Sequence, residues 1–91
     1  MNERDVERYL VQRVKAEGGE IRKVRFIGRR GAPDRLVMLP DRTLWIEVKR
    51  PGGKTQPHQD REHARMTRMG QKVIVVDSRQ AIDKLFRRTK K

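Results

Sequence analysis

The chain has 91 residues, 34% of them hydrophobic and 40% charged, with 24 lysines and arginines against 12 acidic residues and a formal charge of +12. That length allows one domain, spanning 1–91, and no second; the charge calls for a polyanionic partner, nucleic acid before membrane, since no segment is a basic amphipathic helix with large apolar anchors. The absence of cysteine excludes a disulfide framework and thiolate metal sites, and no apolar run suits a signal peptide or a membrane span, so the chain reads as intracellular, in host or bacterial cytoplasm.

Asn2 followed by Glu3 to Glu17 predicts a helix. Asn2 can cap it, Glu3 and Asp5 sit in the first turn where the helix dipole favours negative charge, and Gly18-Gly19 ends it. Val6, Leu10 and Val14 recur every fourth residue and form the buried stripe, with Tyr9 at its flank. Glu7 lies beside that stripe and, on the residues alone, reads as a solvated carboxylate pairing with a neighbouring arginine. Glu20 to Ile27 alternates charged and apolar residues, with Val24 and Phe26 on one face, and predicts a half-exposed strand.

Gly28 to Gly31 is a loop with Arg29 and Arg30 between two glycines. Glycine permits unusual backbone angles and the close approach of a ligand, and guanidinium groups match phosphate oxygens two at a time. A flexible solvated loop is the plainer alternative. Pro33 fixes the chain just before Asp34.

Two short apolar segments follow, Leu36 to Leu39 and Leu44 to Ile46, separated by Pro40, Asp41, Arg42 and Thr43. Proline then aspartate is a turn signal, so two strands joined as a hairpin are expected. Centring the hairpin between Asp41 and Arg42 sets Asp34 opposite Lys49 and Leu36 opposite Glu47. Side chains alternate along a strand. Asp34, Glu47 and Lys49 therefore share one face while Ile46 and Val48 take the other. Opposed residues have side-chain bases roughly 5 Å apart and diagonal ones roughly 7–8 Å, close enough for two carboxylates to share one hard cation. An ion-pair ladder between strands is the structural alternative, contributing only ~0–1 kcal/mol.

After Lys49, the run from Arg50 to Lys54 is a loop. Gln56 to Met69 predicts a helix with Pro57 in its first turn, Ala64 and Met66 turned inward and Gln59, Arg61, Glu62 and His63 on a polar face. His58 and His63 are poorly spaced for one zinc, and His63 fits a helix-face residue or a DNA contact better than a ligand. Val73 to Val76 predicts a strand buried on both faces. Asp77 or Ser78 caps a last helix whose apolar side is Ile82, Leu85 and Phe86. The basic tail from Arg87 to Lys91 is either a solvated end or a phosphate-contacting arm. The fold class is α/β, a mixed sheet flanked by helices in the order α-β-β-β-α-β-α.

The P-D … E-x-K spacing resembles the PD-(D/E)XK nuclease superfamily. The fuller string Gly28-Arg29-Arg30-Gly31-Ala32-Pro33-Asp34-Arg35 with Glu47-Val48-Lys49 resembles its VRR-NUC family, and the likeness runs from the first helix to the strand near Val75. The resemblance implies a magnesium- or manganese-dependent endodeoxyribonuclease, with oxygen ligands selecting those metals over zinc. Asp34, Glu47 and the Val48 carbonyl would hold the metal, and a glutamate of the first helix, Glu7 before Glu3, would join them. Lys49 would orient or deprotonate the attacking water and stabilise negative charge, with Gln59 beside the site. Arg29, Arg30, Arg35, Arg50 and Lys54 would bind nucleic acid. Stand-alone viral and bacterial members look like homodimeric nucleases that cut four-way (Holliday) junctions, and a dimer also suits a core this lean. The alternative is a non-catalytic basic DNA-binding module that keeps the fold.

Overall fold

In the computed structural model, which describes residues 1–87, three helices and four strands follow the expected order: α1 (Glu3–Ala16), β1 (Glu20–Lys23), β2 (Arg35–Leu39), β3 (Arg42–Val48), α2 (Pro57–Arg68), β4 (Val73–Val76) and α3 (Arg79–Leu85). The strands form one sheet in sequence order; β1, β2 and β3 pair antiparallel, and β4 adds parallel to β3. The expectation of a phosphate-contacting arm at 87–91 falls, beyond Arg87, outside the described residues.

Local chemistry fixes the ends of the elements. Asn2 accepts from the Asp5 N–H at 2.9 Å while the Asp5 carboxylate accepts from the Asn2 N–H at 2.9 Å, a reciprocal cap that starts α1. Ser78, rather than Asp77, caps α3, its Oγ accepting from the Ala81 N–H at 3.1 Å. Between β2 and β3 the turn is only Pro40-Asp41, with Leu39 paired to Arg42. No non-glycine residue among those described has a positive φ, so proline's preset angle suffices for the bend.

That shorter turn corrects the expected register. Arg35 pairs with Ile46 and Leu36 with Trp45, so Leu36 does not face Glu47; continued one step, the pairing sets Asp34 across from Glu47 rather than Lys49. Because the shift is two residues, side-chain parity is kept and the faces are those expected.

One face of the sheet holds the dry core. Val6, Leu10 and Val14 of α1 and Ile82 of α3 pack with Val37, Leu44, Ile46, Val48 and Val76. Tyr9 donates to Asp83 Oδ1 at 2.6 Å, Arg13 pairs with the same carboxylate, and α1 is thereby tied to α3. The other face carries α2, and three expectations change there. The inward residues of α2 are Glu62 and His63, with Ala64 exposed and Met66 half-buried, because this helix covers polar groups of the sheet. Strand β4 is an edge strand, and its Val75 is 41% exposed rather than buried on both sides. Strand β1 stops at Lys23: the chain peels away, so Phe26 stacks on the Trp45 ring from outside the sheet, centroids 5.4 Å apart.

Candidate metal and nucleic-acid site

The site grows from the ends of two strands and the start of a helix. Pro33 is fully buried and delivers Asp34 at the entrance to β2, where its side chain is exposed. Glu47 is the next-to-last residue of β3 and points away from the core that takes Ile46 and Val48. Lys49 follows as the strand ends, its N–H donating to the Val76 carbonyl at 2.8 Å.

Lys49 Nζ donates to Gln59 Oε1 at 3.0 Å, and the same oxygen accepts from the Gln56 N–H at 2.8 Å. Gln59 therefore holds the ammonium from a side chain that is itself locked by the start of α2. The structure brings Asp34, Glu47, Lys49 and Gln59 into one neighbourhood.

Glu47 is a carboxyl in an uncomfortable place. Burial, and then the nearby charge of Asp34, push it up to about 7, with Lys49 and Arg35 acting in the opposite direction. Its Oε1 is buried without a hydrogen-bond partner, and so is His63 Nε2, 3.7 Å away. Burial, helped by Lys49, lowers the His63 pKa from its ordinary value, against Asp60 and Glu62, which keeps the imidazole neutral. His63 was not expected here. The signal available was its placement one helical turn after Gln59, which puts both on the same face of α2.

Glu7 and Arg35 sit elsewhere than the resemblance implied. The Arg35 side chain is buried, with Nη2 2.8 Å from the Glu7 carboxylate and Nη1 2.8 Å from that of Asp34. A guanidinium 6% exposed and clamped between two acids has nothing left to offer a phosphate, so Arg35 is withdrawn from the nucleic-acid contacts. Glu7 is taken up by that ion pair. Glu3, the second choice on α1, is close enough that its charge raises Glu47. Arg29, Arg30, Arg50 and Lys54 are all exposed, on the loops just before Asp34 and just after Lys49. Gly31, at φ +87°, passes so near α2 that a Cβ would stand 2.4 Å from the His58 carbonyl oxygen, so its close approach is to the protein's own backbone.

Comparison with known proteins adds to this geometry. No protein-family model matches the chain. A protein of Acyrthosiphon pisum secondary endosymbiont phage 1, named "Putative nuclease p44", is 47% identical over 79 residues, covering 86% of this chain and 85% of that one. A solved structure described as "VRR_NUC domain" is 43% identical and superposes with a TM-score of 0.84 over 92% of both chains. The chain belongs to the VRR-NUC family. The string from Gly28 to Asp34 and the later Glu47-Val48-Lys49 thus lie in the VRR-NUC fold that they implied.

The donor set suits a hard divalent cation. Burial, and after it the neighbouring Asp34 carboxylate, raises Glu47, and a buried oxygen of Glu47 lacks a donor. Among the described residues, no group of three or more His, Cys, Asp and Glu side chains could hold a metal. Two carboxylates, Asp34 and Glu47, are available at the paired strand ends, and magnesium takes one or two carboxylates while keeping several waters. No helix among the described residues is long and apolar enough to cross a membrane.

Proposed function

We propose that the chain is a magnesium- or manganese-dependent endodeoxyribonuclease selective for DNA structure, acting on four-way junctions as a homodimer. The observation that carries this reading is the meeting of Asp34 and Glu47 across neighbouring strands beside a Lys49 fixed by Gln59. The names of the phage relative and of the solved domain support nuclease chemistry.

Phosphodiester hydrolysis joins a water oxygen to phosphorus, breaks the opposite P–O bond and returns a proton to the departing oxygen. What a divalent cation supplies when bound by Asp34, Glu47 and the Val48 carbonyl is a lowered pKa for water and positive charge at the phosphate. Lys49 orients the attacking water and stabilises the negative charge that grows on the phosphate oxygens. Gln59 keeps that ammonium aimed. Arg35, held by Glu7, fixes the Asp34 carboxylate, so Glu7 acts through Arg35. Arg29, Arg30, Arg50 and Lys54 bind the DNA backbone, which favours recognition of shape over sequence. Two sites related by a two-fold axis suit a junction with its own two-fold symmetry.

A second reading, a basic module that binds DNA without cutting it, has one observation in its favour: Glu7 is engaged by Arg35, which leaves two side-chain carboxylates at the site. One experiment separates the two. Labelled four-way junction, flap and linear duplex are incubated with manganese and then with chelator. The nuclease reading expects paired, symmetric nicks in the junction that the chelator prevents. Salt-sensitive binding with no cleavage supports the second reading, and cuts on one strand only contradict the dimeric junction cleaver.

A further inference from the structure

The loop between β1 and β2 carries a residue that hydrolysis does not use. Ile27 is 95% exposed, in a chain whose core is short of apolar side chains. Leaving an isoleucine in water forgoes ~1.5–3 kcal/mol of burial. The loop presenting it is braced. Phe26 stacks on Trp45, Gly28 turns the chain at φ +80°, and Gly31 is pressed against the start of α2. Arg25, Arg29 and Arg30 flank the isoleucine and are all exposed.

Arg29 also borders an open groove of about 380 Å³ along the C-terminal half of α2. Its apolar floor is Met66 and Met69, the latter 75% exposed, and Arg65 and Arg68 complete its rim. The buried Glu62 carboxylate orients that rim, accepting from Arg65 at 2.8 Å with Arg29 3.8 Å away. Methionine sulfur and methylenes pack well on aromatic rings whatever their outline, and guanidinium groups both stack on rings and pair with phosphate. An apolar wedge on a basic loop, next to a groove with a methionine floor and an arginine rim, has the chemistry needed to part a base step and hold the freed base.

The geometry points to this surface as a reader of DNA branch points: Ile27 enters the gap where paired strands diverge, and the groove takes the unstacked base. The inference rests on the nuclease reading and supplies its selectivity, because a branch point or mismatch is cheaper to unstack than continuous duplex. Charge decides for DNA over a second copy of the chain, since two surfaces so rich in arginine repel.

The test uses 2-aminopurine at the branch point of a four-way junction, with the protein in chelator so that nothing is cut. Binding of the unaltered chain is expected to raise the emission several-fold. Ile27→Ala and Met66→Ala should remove most of the rise while leaving linear-duplex binding unchanged. Ile27→Ala should also weaken junction binding by about five-fold or more, as expected when an isoleucine side chain no longer leaves water on binding. Met69→Ala, at a mostly exposed position, is a third variant that does not disturb the fold. Unchanged emission with the unaltered chain overturns the inference, as does a rise that survives all three substitutions. A change in sedimentation with Ile27→Ala, without loss of the emission signal, overturns it by making the loop a contact between copies. Cleavage is assayed separately with manganese: loss of the emission effect in a chain that still cuts refutes only the branch reader. Absence of cutting with the effect intact refutes only the nuclease.

Discussion

The two faces of the sheet are built to different rules, and β3 serves both. Toward α1 and α3, its Leu44, Ile46 and Val48 enter a packed apolar core. Toward α2, the alternate residues are Trp45, whose indole N–H donates to Gln71 at 2.9 Å, and Glu47, set against a neutral histidine without a hydrogen bond. The first face spends its burial on stability. The second keeps a carboxyl buried with its pKa raised to about 7 by desolvation and a neighbouring acid. Strain of that kind is tolerated only where another face holds the fold, and such groups gather at functional sites. A small protein can therefore host a demanding site by giving one side of a sheet to each task.

Substitutions on the two faces should separate accordingly. The largest effect is expected at the site: Asp34→Asn or Lys49→Ala should lower the cleavage rate by about 10²–10³ or more while junction binding, read by gel shift, largely survives. Either variant cutting at an undiminished rate breaks the division. On the core face, Leu10→Ala should cost about 2–5 kcal/mol in urea unfolding, because the site is fully buried and little can collapse into it. A loss below that range would mean that the core face is not what holds the sheet. Glu7→Gln sharpens the boundary. The Glu7 carboxylate pairs at 2.8 Å with an Arg35 side chain only 7% exposed, so losing its charge should cost about 1–3 kcal/mol. Manganese affinity by calorimetry should fall only modestly, through a loosened Arg35–Asp34 pair, and a collapse of that affinity would make Glu7 a ligand. Val75→Thr, on the open side of β4, should shift stability by less than about 0.5 kcal/mol.

The legible parts of this chain are those where a side-chain pattern admits one geometry. The stripe Val6, Leu10, Val14 could only be the inner side of a helix. The parity of Glu47 against Ile46 and Val48 could only place them on opposite faces. The turn was less constrained: Pro40 to Thr43 allows loops of different length, and the two-residue version moved the register without disturbing the faces. Helix α2 misled for a physical reason. Its buried residues are Glu62 and His63, and a search for apolar periodicity selects Ala64 and Met66 instead. The family resemblance set Arg35 among the phosphate contacts, whereas Glu7, distant in sequence, and Asp34 together offset the cost of burying it. The apolar run of β4 implied full cover on both sides, yet β4 is an edge strand and its Val75 is 41% exposed.

The account depends most on Asp34 and Glu47 sharing one divalent cation. Crystals soaked in manganese and measured at its absorption edge test this directly. The expected result is an anomalous peak between the two carboxylates and next to the Val48 carbonyl, lost in Asp34→Asn. Manganese bound elsewhere, or a peak that persists unchanged without the Asp34 carboxylate, would contradict it.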